Sequence, residues 1–193
     1  MAEETSRCIG QPLPIEQHWL LGCDHQRSPN QSARPSAIDI SLLVIHNISL
    51  PPKQFGGDYV RAFFCNQLEP SQHPYFVDIA SLQVSAHLFI RRDGNVVQFV
   101  GFDRKAWHAG ISCFNGRDAC NDFSIGIELE GADDIPYTDS QYTVLSDVTK
   151  ALMLCYPLIT PHSIVGHSDI APGRKTDPGP AFDWSRYRHL LSI

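Results

Sequence analysis

The chain has no apolar run approaching the 18 or more residues that a membrane span requires, so no membrane partner is expected. It also lacks a cationic excess: 15 Lys and Arg stand against 21 Asp and Glu, for a net charge of −6. Nucleic acid is therefore excluded as a main partner. Its six cysteines form no CxxC pair, which argues against a cysteine-rich metal module. The first residues, MAEETSRCIGQPLPIEQHW, lack the basic start, apolar centre and small-residue cleavage site of a secretory signal. Together these absences lead to the expectation of a cytoplasmic protein with reduced thiols; a Cys113–Cys120 bridge is the alternative. Internal repeats and low-complexity tracts are missing too, and nothing calls for an obligate protein partner.

What is present is an ordinary globular composition, 42% hydrophobic and 19% charged over 193 residues, enough for one domain with a substantial core. Residues 1–27 read as an N-terminal extension packing on the domain, with a short element around Pro14–Leu21. Residues 28–193 read as the domain itself, beginning with a surface loop through Ser28–Ser36. Strands are expected at Ile38–Ile45, Val84–Ile90, Val96–Val100 and Phe123–Leu129, with Asp93–Gly94 turning the hairpin between the second and third. Tyr59–Asn66 fits one or two helical turns. Thr138–Leu154 reads as an amphipathic helix capped by Thr138–Asp139, and Trp184–Leu191 as a closing helix. Alternating strands and helices with one hairpin predict an α/β fold, a single domain with a central mixed β-sheet flanked by helices.

Chemistry concentrates in VGHSDIAPGRKTDP (Val165–Pro178), where Pro172, Gly173 and Pro178 oppose regular structure. His167 and Asp177 suit a divalent metal, and His46, closing the β-branched run of LLVIHN, supplies a third donor. Three protein ligands and a water make a catalytic zinc site. Taken alone, a histidine at a strand end is usually a hydrogen-bonded rim residue and an aspartate before proline a turn former; convergence of all three is what favours a site. In the Phe123–Leu129 strand, Ile125, Ile127 and Leu129 share one face, which turns Glu128 to the other as a candidate general base. Glu130 reads as a solvated strand-edge glutamate. Lys175 is a candidate oxyanion stabiliser, against the plain alternative of a surface lysine. His87, mid-strand among apolar residues, reads as a satisfied core histidine. Trp107 and His108 are candidates to line a substrate groove, with a supporting role equally open for His108. Asn47 is a candidate to bond a substrate amide or to cap a turn.

LLVIHNISLPP (Leu42–Pro52), HPYF (His73–Phe76), VSAHLFIRRDG (Val84–Gly94), AWHAG (Ala106–Gly110), CNDFSIGIELEG (Cys120–Gly131), YTDSQY (Tyr137–Tyr142) and GHSDIAPGRKTDPG (Gly166–Gly179) together resemble the N-acetylmuramoyl-L-alanine amidase family, over nearly all of residues 28–188. The likeness is to its cytoplasmic branch, which cleaves 1,6-anhydro-N-acetylmuramyl peptides. The resemblance implies the fold shared by zinc amidases and peptidoglycan-recognition proteins. It implies zinc at His46, His167 and Asp177, with Glu128 as base and Lys175 assisting. Relatives of the phage type often carry cysteine as the third ligand, so Asp177 points to the recycling branch. A muropeptide substrate follows, with contacts at Asn47, Trp107, His108, Arg117 and Leu129. Cationic side chains are expected to hold the stem-peptide carboxylates. Two positions where a relative carries arginine are Gln83 and Ala119 here, and Arg117 stands nearby as a substitute. A secreted amidase would need an export signal, and a non-catalytic binding module of the same fold would lack a ligand or the base.

Overall fold

In a computed structural model, residues 13–36 and 38–192 are described. The centre is a six-stranded sheet ordered Ile164–Gly166, Leu42–Ile48, Ser124–Glu130, Leu88–Ile90, Val96–Gln98 and Asp24–His25. The first four strands run parallel, Leu88–Ile90 and Val96–Gln98 pair antiparallel, and Asp24–His25 joins parallel at the edge. The sheet is mixed, as the alternation of elements predicts. The helices are α1 (Tyr59–Phe64), α2 (Pro74–Ile79), α3 (Asp139–Cys155), α4 (His167–Ile170) and α5 (Trp184–Leu191).

Period-2 alternation assigns the faces. Leu43, Ile45, Ile125, Ile127 and Leu129 are buried on one side, packed with Leu145, Val148 and Leu152 of α3 and Tyr187 of α5. The opposite face begins apolar, with Leu42 and Val44 against Phe123 and Ile170. It turns polar toward the strand ends, where His46 and Glu128 are direct cross-strand partners. α3 is fixed to the sheet through its first turn. Thr138 and Gln141 form a reciprocal capping box, and Gln141 Nε2 donates to the carbonyls of Ile90 (3.2 Å) and Glu130 (2.9 Å).

Several expectations shift. The strand expected at Ile38–Ile45 runs over Leu42–Ile48 instead. Ile38 is exposed and Asp39 pairs with Arg117, while Asn47 and Ile48 continue the ladder against Leu129 and Glu130. In the expected Val84–Ile90 strand only Leu88–Ile90 is laddered, because Ser85 turns aside to bond Trp107 and Asn30. One helical turn, α4, forms inside the loop expected to be irregular. Asp169 accepts the Gly166 N–H at 2.7 Å, and Pro172 lies beyond the turn. Cys113 and Cys120 are free thiols, one exposed and one buried; Cys8 falls outside the described residues.

Candidate active site

The site lies beyond the carboxyl ends of the three parallel strands Ile164–Gly166, Leu42–Ile48 and Ser124–Glu130, where open α/β sheets place their ligands. Register brings the residues together. Gly166 pairs with Ile45, so His167, the next residue, stands beside His46, and Glu128 is opposite His46 on the other neighbour. The loop after α4 then returns Asp177 to both histidines.

His46 Nδ1 lies 2.9 Å from His167 Nδ1, and Asp177 Oδ2 is 3.0 Å from each. Both imidazoles are almost fully buried. Burial pushes the His46 pKa down to about 4, so the ring is neutral at pH 7. Burial opposes ionisation of Asp177 as well, but hydrogen bonds with His167 and His46 outweigh it and hold the carboxyl below its ordinary range. His167 Nε2 lies 3.1 Å from the Ala109 carbonyl, which only accepts. That nitrogen carries a proton, which turns Nδ1 toward the other two donors. Two imidazoles and a carboxylate, with donor atoms within 4.8 Å of one another, are a donor set that fits zinc.

A cavity of about 720 Å³ opens in front of these atoms. His167, Asp177, Glu128, Lys175, Asn47, Trp107 and His108 all contribute to its wall. Glu128 is half-buried, and its Oε2 is enclosed with no hydrogen-bond partner among the described residues. Burial, reinforced by the Asp177 charge and opposed by Lys175, raises its pKa well above the carboxylate range. Lys175 is exposed on the same wall. Asn47 donates through Nδ2 to Asp133 Oδ1 (2.8 Å) and the Pro178 carbonyl (3.1 Å), tying the strand end to the Asp177 loop. Trp107 is anchored by its indole N–H to Ser32 Oγ at 3.1 Å.

Three expectations meet different surroundings. Leu129 is 1% exposed in the core under α3 and does not line the cavity, as its alternation with Glu128 requires. Arg117 is drawn away to Asp39 Oδ2 at 2.6 Å, with its guanidinium 3.8 Å above the Phe123 ring, and is not part of the cavity wall. Glu130 is not solvated. It is 3% exposed and accepts backbone N–H groups from Gly56 (2.5 Å) and Arg92 (3.0 Å). His87 is the satisfied core histidine expected, taking the Gly126 N–H on Nδ1 and facing the Arg104 carbonyl with Nε2. Reading by motif missed the apolar wing of the cavity, formed by Phe63, Phe64, Tyr75, Ile79 and Leu82. The signal was present in YVRAFF and HPYF, as aromatics beside a proline-rich segment.

Two histidines and a carboxylate that could hold a metal ion, beside an unpartnered acid at the strand ends of an open α/β sheet, are the equipment of a hydrolase. Residues 36–180 match the family described as N-acetylmuramoyl-L-alanine amidase, and the chain belongs to that family and shares its amidase activity. The 1,6-anhydro-N-acetylmuramyl-L-alanine amidase AmpD of Escherichia coli K12 is 57% identical over 178 residues, covering 92% of this chain and 97% of that one. The crystal structure of a selenomethionine AmpD derivative superimposes with a TM-score of 0.90 at 54% identity, covering 93% of this chain and 99% of that one. AmpDh3 of Pseudomonas aeruginosa, in complex with an anhydromuramic pentapeptide, gives a TM-score of 0.63 at 28% identity, over 86% of this chain and 65% of that one.

Proposed function

We propose that the chain is a zinc-dependent hydrolase of the amide between the lactyl carbonyl of 1,6-anhydro-N-acetylmuramic acid and the L-alanine of its stem peptide, acting in cytoplasmic recycling of cell-wall fragments. The observation that carries this reading is the convergence of His46, His167 and Asp177, the last two on the wall of the cavity that Glu128, with its unpartnered Oε2, also lines. Zinc held by those three residues would supply Lewis acidity and a more acidic water. Glu128 takes the proton of the attacking water and passes it to the departing L-alanine amine. A raised pKa suits the second half of that task, the return of the proton to the leaving amine. The Lys175 ammonium donates to the carbonyl oxygen as negative charge grows there. The anhydro sugar is supported by the name of the E. coli relative and the pentapeptide bound to the P. aeruginosa one. Among the described residues no helix is long and apolar enough to cross a membrane.

Metal analysis combined with mass spectrometry of digests tests the reading. Purified protein should hold about one zinc per chain and release free anhydro-N-acetylmuramic acid from an anhydromuropeptide. Activity undiminished after metal removal, or confined to intact peptidoglycan, would contradict it.

A further inference from the structure

Zinc-bound histidines ordinarily pass their second ring N–H to a carboxylate, a backbone carbonyl or water, and that partner fixes the tautomer. In this chain both partners come from two adjacent residues. Ala109 offers its carbonyl to His167 Nε2 at 3.1 Å, and His108 offers Nδ1 to His46 Nε2 at 2.9 Å. We propose that His108 is a positioning residue of the amidase reaction, whose Nδ1 accepts the Nε2 proton of His46 and so leaves His46 Nδ1 free as a ligand. The proposal rests on the zinc reading above.

The geometry around His108 is built for this. Its Nε2 lies 3.1 Å from Ser124 Oγ, a partner for the proton that Nδ1 must not carry. The ring stands edge-on to His46, with centroids 4.9 Å apart. Gly126 leaves the space for it: a Cβ there would lie 2.5 Å from the His108 ring. The backbone is pinned as well. Asn121 Oδ1 accepts the N–H groups of both His108 (3.1 Å) and Ala109 (2.8 Å), and Arg174 Nη2 donates to the carbonyls of Ala109 (2.7 Å) and Ile111 (2.6 Å). One short segment thus orients both imidazole ligands. If the His46–His108–Ser124 chain ran the other way, His46 would carry its proton on Nδ1, facing Asp177, and would be lost as a ligand.

The test uses zinc-loaded protein with ¹⁵N-labelled histidine, together with the variants His108→Asn and His108→Phe. Asparagine places its Oδ1 near the site of the ring Nδ1 and keeps an acceptor, whereas phenylalanine keeps a ring and loses it. The expected spectrum shows protons on Nε2 of both His46 and His108; a proton on Nδ1 of His108 overturns the proposal. The phenylalanine variant should lose about 10–100-fold in zinc affinity and a comparable factor in kcat with little change in KM. The asparagine variant should recover most of both. Wild-type zinc affinity and kcat in the phenylalanine variant would overturn it. Should that variant fail to fold, Ser124→Ala carries the test: it keeps the ring, and it should shift the His108 Nε2 proton resonance and weaken zinc binding, whereas an unmoved resonance counts against the chain. Wild-type protein that binds no zinc would remove the metal reading itself, and zinc titration of wild type therefore comes first.

Discussion

Glu128 and Glu130 stand two residues apart on one strand face, and their surroundings give them opposite duties. Glu128 keeps an unpartnered oxygen in the cavity, whereas both Glu130 oxygens are occupied by loop N–H groups. Glu128→Ala should therefore retain zinc and lose 10²–10⁴-fold in turnover. Glu130→Ala should leave turnover near wild type in the folded protein. It should lower the urea midpoint, because two part-buried backbone N–H groups lose their carboxylate acceptor. Equal turnover in the two variants would remove Glu128 from the mechanism. Lys175→Met should lower kcat by about 10²–10³-fold with zinc content unchanged, since the ammonium acts on charge that grows only in the transition state. A raised KM at constant kcat would assign Lys175 to substrate binding instead. The convergence of His46, His167 and Asp177 was legible in the sequence because these residues sit in short motifs whose residue types are themselves potential ligands. The burial of Glu130 was not legible, because Gly56 and Arg92 reach it from loops 74 and 38 residues away.

At the level of elements, periodicity placed the core strands and the two long helices closely. It failed where side chains recruit distant backbone: at Ser85, which leaves the ladder, and at Asp24–His25, a two-residue strand too short to carry a pattern. His87 belongs to the same class of long-range joint. It links the start of the Leu88–Ile90 strand to Gly126 on the next strand and to Arg104. Burial, aided by the Arg34 charge, lowers its pKa from 6.5 to about 3. Between those values the unfolded chain binds the extra proton and the folded one does not, so stability rises with pH through this window and is lost on acidification. Full slope for one such group is about 1.4 kcal/mol per pH unit. Urea titrations at several values from pH 8 down to pH 4.5 should show that loss in wild type and a shallower slope in His87→Gln. Parallel slopes would mean that His87 is charged within the fold.

For the whole molecule the question is what ties distant parts of the chain together. No disulfide joins any of Cys65, Cys113, Cys120 and Cys155. The proposed metal does join such parts: His46 stands near the carboxyl end of a central strand, His167 opens α4, and Asp177 lies in the following loop, with the two histidines 121 positions apart. An ion that binds only the assembled site stabilises the fold by mass action, about 2.7 kcal/mol when free zinc is a hundredfold above its dissociation constant. In a domain of this size each kcal/mol moves the melting midpoint by about 2–4 °C, so saturating zinc should raise it by roughly 5–10 °C over chelated protein. Reducing agent should leave the midpoint where it is. His167→Ala separates linkage from incidental effects of the chelator, because it removes one donor and keeps the remaining surface. Its midpoint should no longer respond to zinc, while the response of Glu128→Ala should match wild type, since that residue is assigned to proton transfer and not to the ion. A zinc-dependent shift of full size in His167→Ala would place the ion elsewhere on the molecule and detach the metal from the three donors at the strand ends.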